Sequence, residues 1–239
     1  AALASSPDPP LALASLGRLR DAAPEALEGA AADVEQAAAL VALLGASASV
    51  VRWLAMEPAR WQSVLASDAA ATPIAELVPR PEPLAGDAAT PEALAQLLRI
   101  FKRRRVLVIA ARDLLGRATL VDTVTELSRL AEDALEVAVT SVRARLVAAH
   151  GDVLGPEGKP LGFSVLGMGK LGGGELNFSS DIDLVYVYGD GGEDSAGGPR
   201  GKLSAREFMS RLAEAVTRAL HQATDDGFVF RVDLRLRPE

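Results

Sequence analysis

The stretch from residue 161 to residue 188 constrains the fold most, because two strand-like segments there are joined by a turn too rich in glycine for a long helix. Residues 161–166 and 182–188 are rich in leucine, β-branched and aromatic side chains, a composition typical of strands. Residues 167–174 between them are dense in glycine, which costs about 1 kcal/mol relative to alanine inside a helix. The sequence therefore predicts two strands joined by a glycine-rich turn.

A further helix and a third strand are predicted downstream of this pair. Ser204 and Glu207 form a capping-box pattern, and apolar residues follow them at helical spacing. Residues 189–201 are a polar, glycine-rich loop, and residues 228–236 alternate like a strand. The C-terminal third is therefore predicted to run strand, glycine turn, strand, helix, strand.

The preceding residues are mostly predicted to be helical. Apolar residues recur at helical intervals over residues 33–66 and 92–115, and Thr123 with Glu126 predicts a capped helix start. Residues 68–91 are rich in proline, alanine and aspartate, which indicates a surface linker.

We therefore expect an α+β fold with three regions. Residues 1–32 are expected to be weakly structured, with one short helix around residues 11–20 and a loop after it. A helical region is expected over residues 33–150, and a sheet-containing core over residues 151–239.

Composition limits the classes of protein to which the chain can belong. With a formal net charge of −7 and no cysteine, it lacks the basic surplus of a general nucleic-acid binder and the thiolates of a disulfide or thiolate-zinc protein. No apolar run approaches the roughly 20 residues of a membrane-spanning helix, and the first ten residues lack the basic start of a signal peptide. We expect a cytoplasmic protein without nucleic-acid or membrane partners.

The two ends of the chain point to a longer protein. The chain has no initiator methionine, and it stops just after the third predicted strand. We therefore expect a piece of a longer protein, whose sheet-containing core is truncated at its C-terminus.

The letters GMGKLG at residues 167–172 match the G-x-G-x-x-G pattern of dinucleotide-binding folds. Such folds need a full helix after the glycines and an acid at the end of the next strand. Here only residues 173–180 separate the glycines from the next acids, and the Lys-Ser/Thr pair that ends a phosphate-binding P-loop is absent. Both interpretations are disfavoured, and an ordinary glycine-rich turn is the alternative.

Asp181 and Asp183 open the second predicted strand, and its period of two places them on one face. Two close carboxylates repel each other unless a cation or a proton compensates. Divalent metal bound by hard oxygen ligands, and bridging to phosphate, is the usual compensation. The alternative is a solvated strand start in which aspartate serves as a turn residue.

Asp233 strengthens the metal hypothesis. It alternates with Arg231, Arg235 and Arg237 on one face of the third predicted strand. If that strand lies beside the second, Asp233 completes a three-carboxylate site, and the planar arginine donors suit phosphate oxygens. The alternative is a solvated outer face with cross-strand ion pairs, each of which adds little stability.

Other charged residues are interpreted without a catalytic role. Five basic residues cluster on one predicted helix: Arg99, Lys102, Arg103, Arg104 and Arg105. A solvated helical face is favoured for such a run over contact with the phosphate site or with an acidic partner. His150 and His221 each lie near a helix end without a second ligand at metal spacing, so zinc is not expected.

Two long motifs carry a resemblance to a known family. The letters GMGKLGGGELNFSSDIDL at residues 167–184 and FVFRVDLRLRP at residues 228–238 resemble polymerase-β-like nucleotidyltransferases, and in particular bacterial glutamine synthetase adenylyltransferase/adenylyl-removing enzymes. Residues 43–61, 109–116 and 126–138 also resemble that family. The resemblance implies an N-terminal helical region followed by a polymerase-β-like sheet with flanking helices.

The family also implies a reaction. One of its nucleotidyltransferase domains adenylylates a tyrosine of glutamine synthetase from ATP, and another removes the AMP by phosphorolysis, which gives ADP. The letters NFSS at residues 177–180 and DGFVFRVDLRLRP at residues 226–238 are more similar to the N-terminal, adenylyl-removing half.

Adenylyl removal is therefore the expected function, and three alternatives stay open. They are adenylyl transfer from ATP, nucleotidyl transfer to another substrate, and a regulatory nucleotide-binding domain. The resemblance implies that the PII signal protein and glutamine regulate the longer family members.

Two sets of site residues carry over from the resemblance. Two Mg²⁺ ions are expected. Their ligands, which are also the expected catalytic residues, are Asp181, Asp183 and Asp233. The nucleotide- and phosphate-binding residues are Gly167, Gly169, Lys170, Ser180, Arg231 and Arg235.

Overall fold

The fold is α+β, which confirms the prediction from the sequence. The computed structural model describes residues 2–57, 65, 72–178, 181–223 and 227–234. Contacts divide the chain into two compact units, Ala1–Pro79 with Arg103–Glu126 and Arg80–Lys102 with Leu127–Glu239. Each unit is assembled from two segments that are separate in the chain. The expected region limits at residues 33 and 151 are a different kind of division, and they stay a prediction. Among the described residues, no helix is long and apolar enough to cross a membrane.

The first unit is built from short helices. They are a 3₁₀ turn Ala2–Ser5, α1 Pro9–Ala22, α2 Pro24–Ala31, α3 Val34–Ala46, α4 Ala48–Met56 and α5 Ile74–Leu77. Asp8 caps α1 by accepting the N–H of Leu11 at 2.9 Å, an interaction worth about 1 kcal/mol. Leu19, Leu43 and Leu54 lie in a core that is almost wholly shielded from solvent.

Residues 2–32 contain more helix than the sequence predicts. The short helix expected around residues 11–20 is present as α1, but the segment after it forms α2 instead of a loop. Proline suits the first turn of a helix, where Pro24 lies, and Leu27 packs against the core of the unit.

Two long helices, α6 Pro91–Leu114 and α7 Leu120–His150, contribute residues to both units. The helix start predicted at Thr123 lies one turn too late. Thr119 and Asp122 form the capping box instead, since each side chain accepts the other's backbone N–H. Thr123 donates its hydroxyl to Asp113 at 2.9 Å and is therefore engaged elsewhere.

The second unit contains the sheet. Besides the 3₁₀ turn Gly86–Ala88 and parts of α6 and α7, it contains β1 Phe163–Met168, the single helical turn α8 Gly169–Gly172, β2 Asp181–Tyr188, α9 Ala205–His221 and β3 Arg231–Asp233. Ser204 and Glu207 form the predicted capping box at the start of α9.

The third strand is shorter than the predicted segment 228–236. The N–H groups of Val229 and Phe230 both donate to the carbonyl oxygen of Leu220 near the end of α9, so the chain is still bound to the helix there. Pairing with β2 begins only at Arg231, and residues 235–239 lie outside the described part.

In the described part of the chain, β2 is the central strand of a three-stranded sheet. β1 pairs with it antiparallel and β3 parallel, and α9 lies in the crossover between β2 and β3. Ile182 lies on the buried face, on which the hydroxyls of Tyr186 and Thr217 (in α9) are hydrogen-bonded at 2.9 Å. Asp181 and Asp183 alternate with these residues and therefore lie on the open face.

The basic run at residues 99–105 is not the solvated helical face that the sequence predicts. Arg105 is only 2% exposed, and its Nε donates to the carbonyl oxygen of Val78 at 2.9 Å. Arg104 donates to the carboxylate of Glu57 at 2.8 Å. The long apolar stems of these side chains favour such packing, so helical spacing of charges does not by itself indicate exposure.

Lys102 is the member of this run with the most perturbed ionisation. Its ammonium group lies 4.9 Å from the ring centroid of Phe230 and 5.7 Å from that of Phe228. Partial burial lowers the pKa of Lys102 to about 8. Because the pKa of Lys102 is higher in the unfolded chain, its charged form lowers the free energy of unfolding below pH 8. This destabilisation disappears as the pH rises from 8 towards the pKa of the unfolded chain.

We expect Lys102→Met to raise the free energy of unfolding at pH 7 by about 1–2 kcal/mol, since relief of desolvation outweighs the lost cation–π attraction. The difference from the wild-type chain should shrink between pH 8 and about pH 10.4, the unperturbed value for lysine. Urea unfolding across this range measures it, with the exposed Lys202→Met as the control. Parallel pH profiles of the Lys102→Met and wild-type chains would contradict this account.

Candidate catalytic site

The glycine turn between β1 and β2 is a single helical turn, α8, in place of the full helix of a dinucleotide-binding fold. Its glycines are required by close backbone packing. A Cβ atom on Gly172 would lie 2.4 Å from the carbonyl oxygen of Gly167, and Gly169 has φ +53°, in the left-handed region. The turn therefore folds tightly back on the end of β1.

Gly169 also brings the turn against an acidic side chain. A Cβ atom at this position would lie 3.0 Å from Oδ2 of Asp183, so the glycine leaves room for that carboxylate. Asp183 is the register partner of Met168, the last residue of β1. The predicted phosphate-binding turn and one predicted metal ligand are thus neighbours.

The parallel pairing of β2 and β3 brings the three predicted carboxylates to one face of the sheet. Asp183 is the register partner of Asp233, and Asp181 is the register partner of Arg231. Neighbouring strands lie about 4.8 Å apart, and residues in register share a face. Asp181, Asp183 and Asp233 therefore lie on the open face, beside the glycine turn.

Arg231 is bound to Asp181 in this structure. Its Nε and Nη2 donate to the two carboxylate oxygens at 2.7 and 2.5 Å, in the two-pronged geometry that suits guanidinium and carboxylate. More than half of each side chain is exposed, so the pair adds little stability. The pKa of Asp181 is lowered chiefly by these hydrogen bonds; the charge of Asp233 raises it and that of Lys170 lowers it.

The other predicted site residues are placed as follows. Lys170 lies in α8, close enough for its charge to act on Asp181, and Gly167 lies in β1 next to the turn. Ser180 and Arg235 lie outside the described residues.

His221 contacts the site strand, which the sequence does not reveal. Its Nδ1 accepts the N–H of Val232, at the centre of β3, at 3.1 Å. His221 is the last residue of α9, so the helix end is tied to the strand that carries Asp233. Helical spacing predicted only that this histidine lies near a helix end, because its partner depends on how the crossover returns to the sheet.

The donor set has the chemistry of a site for a hard divalent cation. Asp183 and Asp233 are adjacent on the open face, and Asp181 shares that face. Among the described residues, however, no three acidic or histidine side chains are gathered into a metal-binding group. The guanidinium of Arg231 supplies the positive charge at Asp181, so this carboxylate would have to leave Arg231 to become a ligand.

Comparison with known proteins identifies the family. The sequence model of glutamate-ammonia ligase adenylyltransferase matches residues 37–239. The chain belongs to that family. The family resemblance of the two motifs is confirmed, and both motifs lie within the matched region.

Relatives of the adenylyltransferase family carry one recurring name. The chain is 43% identical over 192 residues to the "Bifunctional glutamine synthetase adenylyltransferase/adenylyl-removing enzyme" of Burkholderia pseudomallei, covering 79% of this chain and 21% of the relative. The protein of that name from Xanthomonas oryzae is 35% identical over 224 residues, which cover 94% of this chain and 22% of the relative. The chain thus spans about a fifth of the length of these relatives.

Alanine substitution in the glycine turn of this adenylyltransferase-family chain tests the close packing. We expect Gly172→Ala to lower the free energy of unfolding by about 1–3 kcal/mol, because its Cβ would overlap a backbone oxygen that must move. Gly173→Ala is the matched control: its φ is −82° and the nearest atom to its Cβ is 3.5 Å away. The control should be neutral or slightly stabilising. Equal free energies for the two variants in urea unfolding would refute the packing argument.

Proposed function

We propose that this chain removes AMP from adenylylated glutamine synthetase by phosphorolysis. The proposal rests most on one juxtaposition: Asp183 and Asp233 lie in register on the open face, beside the glycine turn. Phosphoryl and nucleotidyl transfer depend mainly on positioning and on stabilisation of spreading charge. The names of the relatives include adenylyl removal. The letters NFSS at residues 177–180 are more similar to the adenylyl-removing half of the family's enzymes than to the transferring half.

The reaction balances without a further reactant. An oxygen of inorganic phosphate forms a bond to the phosphorus of adenylyl-tyrosine as the bond from that phosphorus to the tyrosine oxygen breaks. The proton of hydrogen phosphate passes to the leaving phenolate, and the products are ADP and tyrosine. A phenol has a pKa near 10, so it leaves more readily than an alkoxide.

Asp183 and Asp233, with Asp181 once released from Arg231, would hold two Mg²⁺ ions. When bound, Mg²⁺ supplies Lewis-acid charge for phosphate oxygens. Gly169 would allow the backbone of the turn to approach the nucleotide phosphates, and Lys170 adds a cation close to Asp181.

Arg231 has two possible partners in this proposal. In the structure it binds Asp181, and a guanidinium binds phosphate oxygens with the same planar donors. We infer that Arg231 would bind the incoming phosphate, which would free Asp181 to hold metal. This exchange keeps each charged group paired.

Adenylyl transfer from ATP is the second candidate. It is favoured by the names of the relatives, which combine both activities. The same carboxylates would serve in either direction, because both reactions exchange a phosphate oxygen for a tyrosine oxygen at one phosphorus. A direct assay therefore has to distinguish them.

We expect the 239-residue chain, incubated with adenylylated glutamine synthetase, phosphate and Mg²⁺, to form ADP at a rate that depends on phosphate. The nucleotide products are separated by chromatography. Release of AMP without a need for phosphate would contradict phosphorolysis. ATP-driven labelling of unmodified glutamine synthetase, without ADP formation from the adenylylated enzyme, would favour transfer instead.

We expect Asp183→Asn to lower that rate by about 100-fold or more, since a neutral amide replaces a charged metal ligand. Asp190→Asn is the matched control, because Asp190 follows the far end of β2 and its carboxylate accepts the N–H of Gly191 at 2.8 Å. The control should retain the wild-type rate, and urea unfolding should show that both variants are folded. Wild-type turnover by Asp183→Asn would defeat the metal-site proposal.

We expect Arg231→Gln to raise the KM for phosphate about tenfold, the effect of losing one charge-assisted hydrogen bond. Arg231→Lys should restore part of the affinity, because it keeps the charge but loses the two-pronged geometry. Steady-state kinetics with phosphate and adenylylated glutamine synthetase varied in turn separate the two KM values. A lower kcat with an unchanged KM for phosphate would show that Arg231 only positions Asp181.

A further inference from the structure

The second unit contains a cavity of about 630 Å³ whose polar lining is dominated by arginine. It lies between the start of α6, at Thr90 and Pro91, and the last turns of α7. Arg145, Arg200 and Arg211 line it. Its volume is within the range of small-molecule sites, which is roughly 300–1,000 Å³.

The positive charges around this arginine cavity are only partly balanced. In the part of the chain that the structure describes, Arg145, Arg200 and Arg211 form no ion pair within 4.0 Å. The charge of Glu92 raises the pKa of Arg145, and the charge of Arg211 lowers the pKa of Glu207. Both carboxylates act from beyond the 4.0 Å of an ion pair.

The ionisation of Arg145 reflects this crowding. Its pKa is lowered by burial first, raised by the charge of Glu92, and lowered again by the charges of Arg200 and Arg218. Like charges in a partly buried place cost free energy that a bound anion would recover. The cavity thus lacks its counter-charge.

The helix end that borders the cavity does not supply that counter-charge. The carbonyl of Ala149 accepts the N–H of Arg200 at 2.9 Å. The carbonyl of His150 accepts the N–H of Gly197 at 2.8 Å and the hydroxyl of Ser195 at 2.7 Å. The loop at residues 195–201 therefore occupies these acceptors, and the arginines remain the main polar groups facing the space.

The cavity is separate from the candidate catalytic site. Asp181 is the first residue of β2, whereas Arg200 lies in the loop that follows the opposite end of that strand. At about 3.3 Å per residue, the eight residues of β2 span roughly 25 Å. None of the three catalytic aspartates lines the cavity.

We propose that the arginine cavity binds a compact, multiply charged phosphate-type oxyanion at a second site of this chain. Planar guanidinium groups match the oxygens of phosphate in both charge and geometry, and three of them converge on one space. The site does not depend on divalent metal, because its positive charge comes from arginine alone.

Isothermal titration with inorganic pyrophosphate in the presence of EDTA tests the site, since metal chelation leaves the catalytic carboxylates negative and unable to attract the probe. We expect one pyrophosphate per wild-type chain, and a thermal unfolding midpoint that rises with its concentration. Arg145→Gln with Arg200→Gln should weaken binding at least tenfold. Arg206→Gln, in α9 but outside the cavity lining, is the matched control and should bind as the wild-type chain does.

Asp183→Asn separates this proposal from the proposed function, because it should abolish turnover and leave pyrophosphate binding unchanged. If the double variant fails to fold, Arg200→Gln alone, in an exposed loop residue, should weaken binding about threefold or more. Equal pyrophosphate affinity in the cavity variants and the wild-type chain would overturn the proposal. Binding of citrate or of a polyglutamate peptide, without binding of pyrophosphate, would also overturn it.

Discussion

The parallel pairing of β2 with β3 is the interaction on which the candidate site depends. Three register pairs set it, and they place Asp183 beside Asp233 and Asp181 beside Arg231. A slip of one residue would turn Asp233 of β3 to the buried face, where an ionised carboxylate is costly. Burial of Ile182 on the other face therefore fixes the positions of the charged groups.

The sequence predicts much of this arrangement because its signals are local. Period-two alternation placed the aspartates on one strand face, and the capping box at Ser204 located α9. The basic run was mispredicted because burial of Arg105 depends on Val78, which lies 27 residues away and which no local pattern indicates. The helix start was mispredicted for a local reason, since Thr119 with Asp122 forms a capping box one turn before Thr123.

The charge pairing at the site illustrates the same limit. Sequence alternation put Arg231 on the face of the acids and left open phosphate or a cross-strand ion pair as its role; the register gives it the ion pair with Asp181. Which strand neighbours β3, and in which direction, follows from the return of α9 to the sheet. The types of residue at the site were therefore predictable, and their pairing was not.

The bond between His221 and Val232 has a consequence for β3, which is an edge strand of the sheet in the part of the chain that the structure describes. The backbone N–H of Val232 is occupied by an imidazole nitrogen, so another strand cannot take that donor without displacing the histidine. An unprotected edge invites pairing with other chains, and a side chain from the neighbouring helix blocks it here at a single amide. The residue that ends the crossover helix thus also limits how far the sheet can grow.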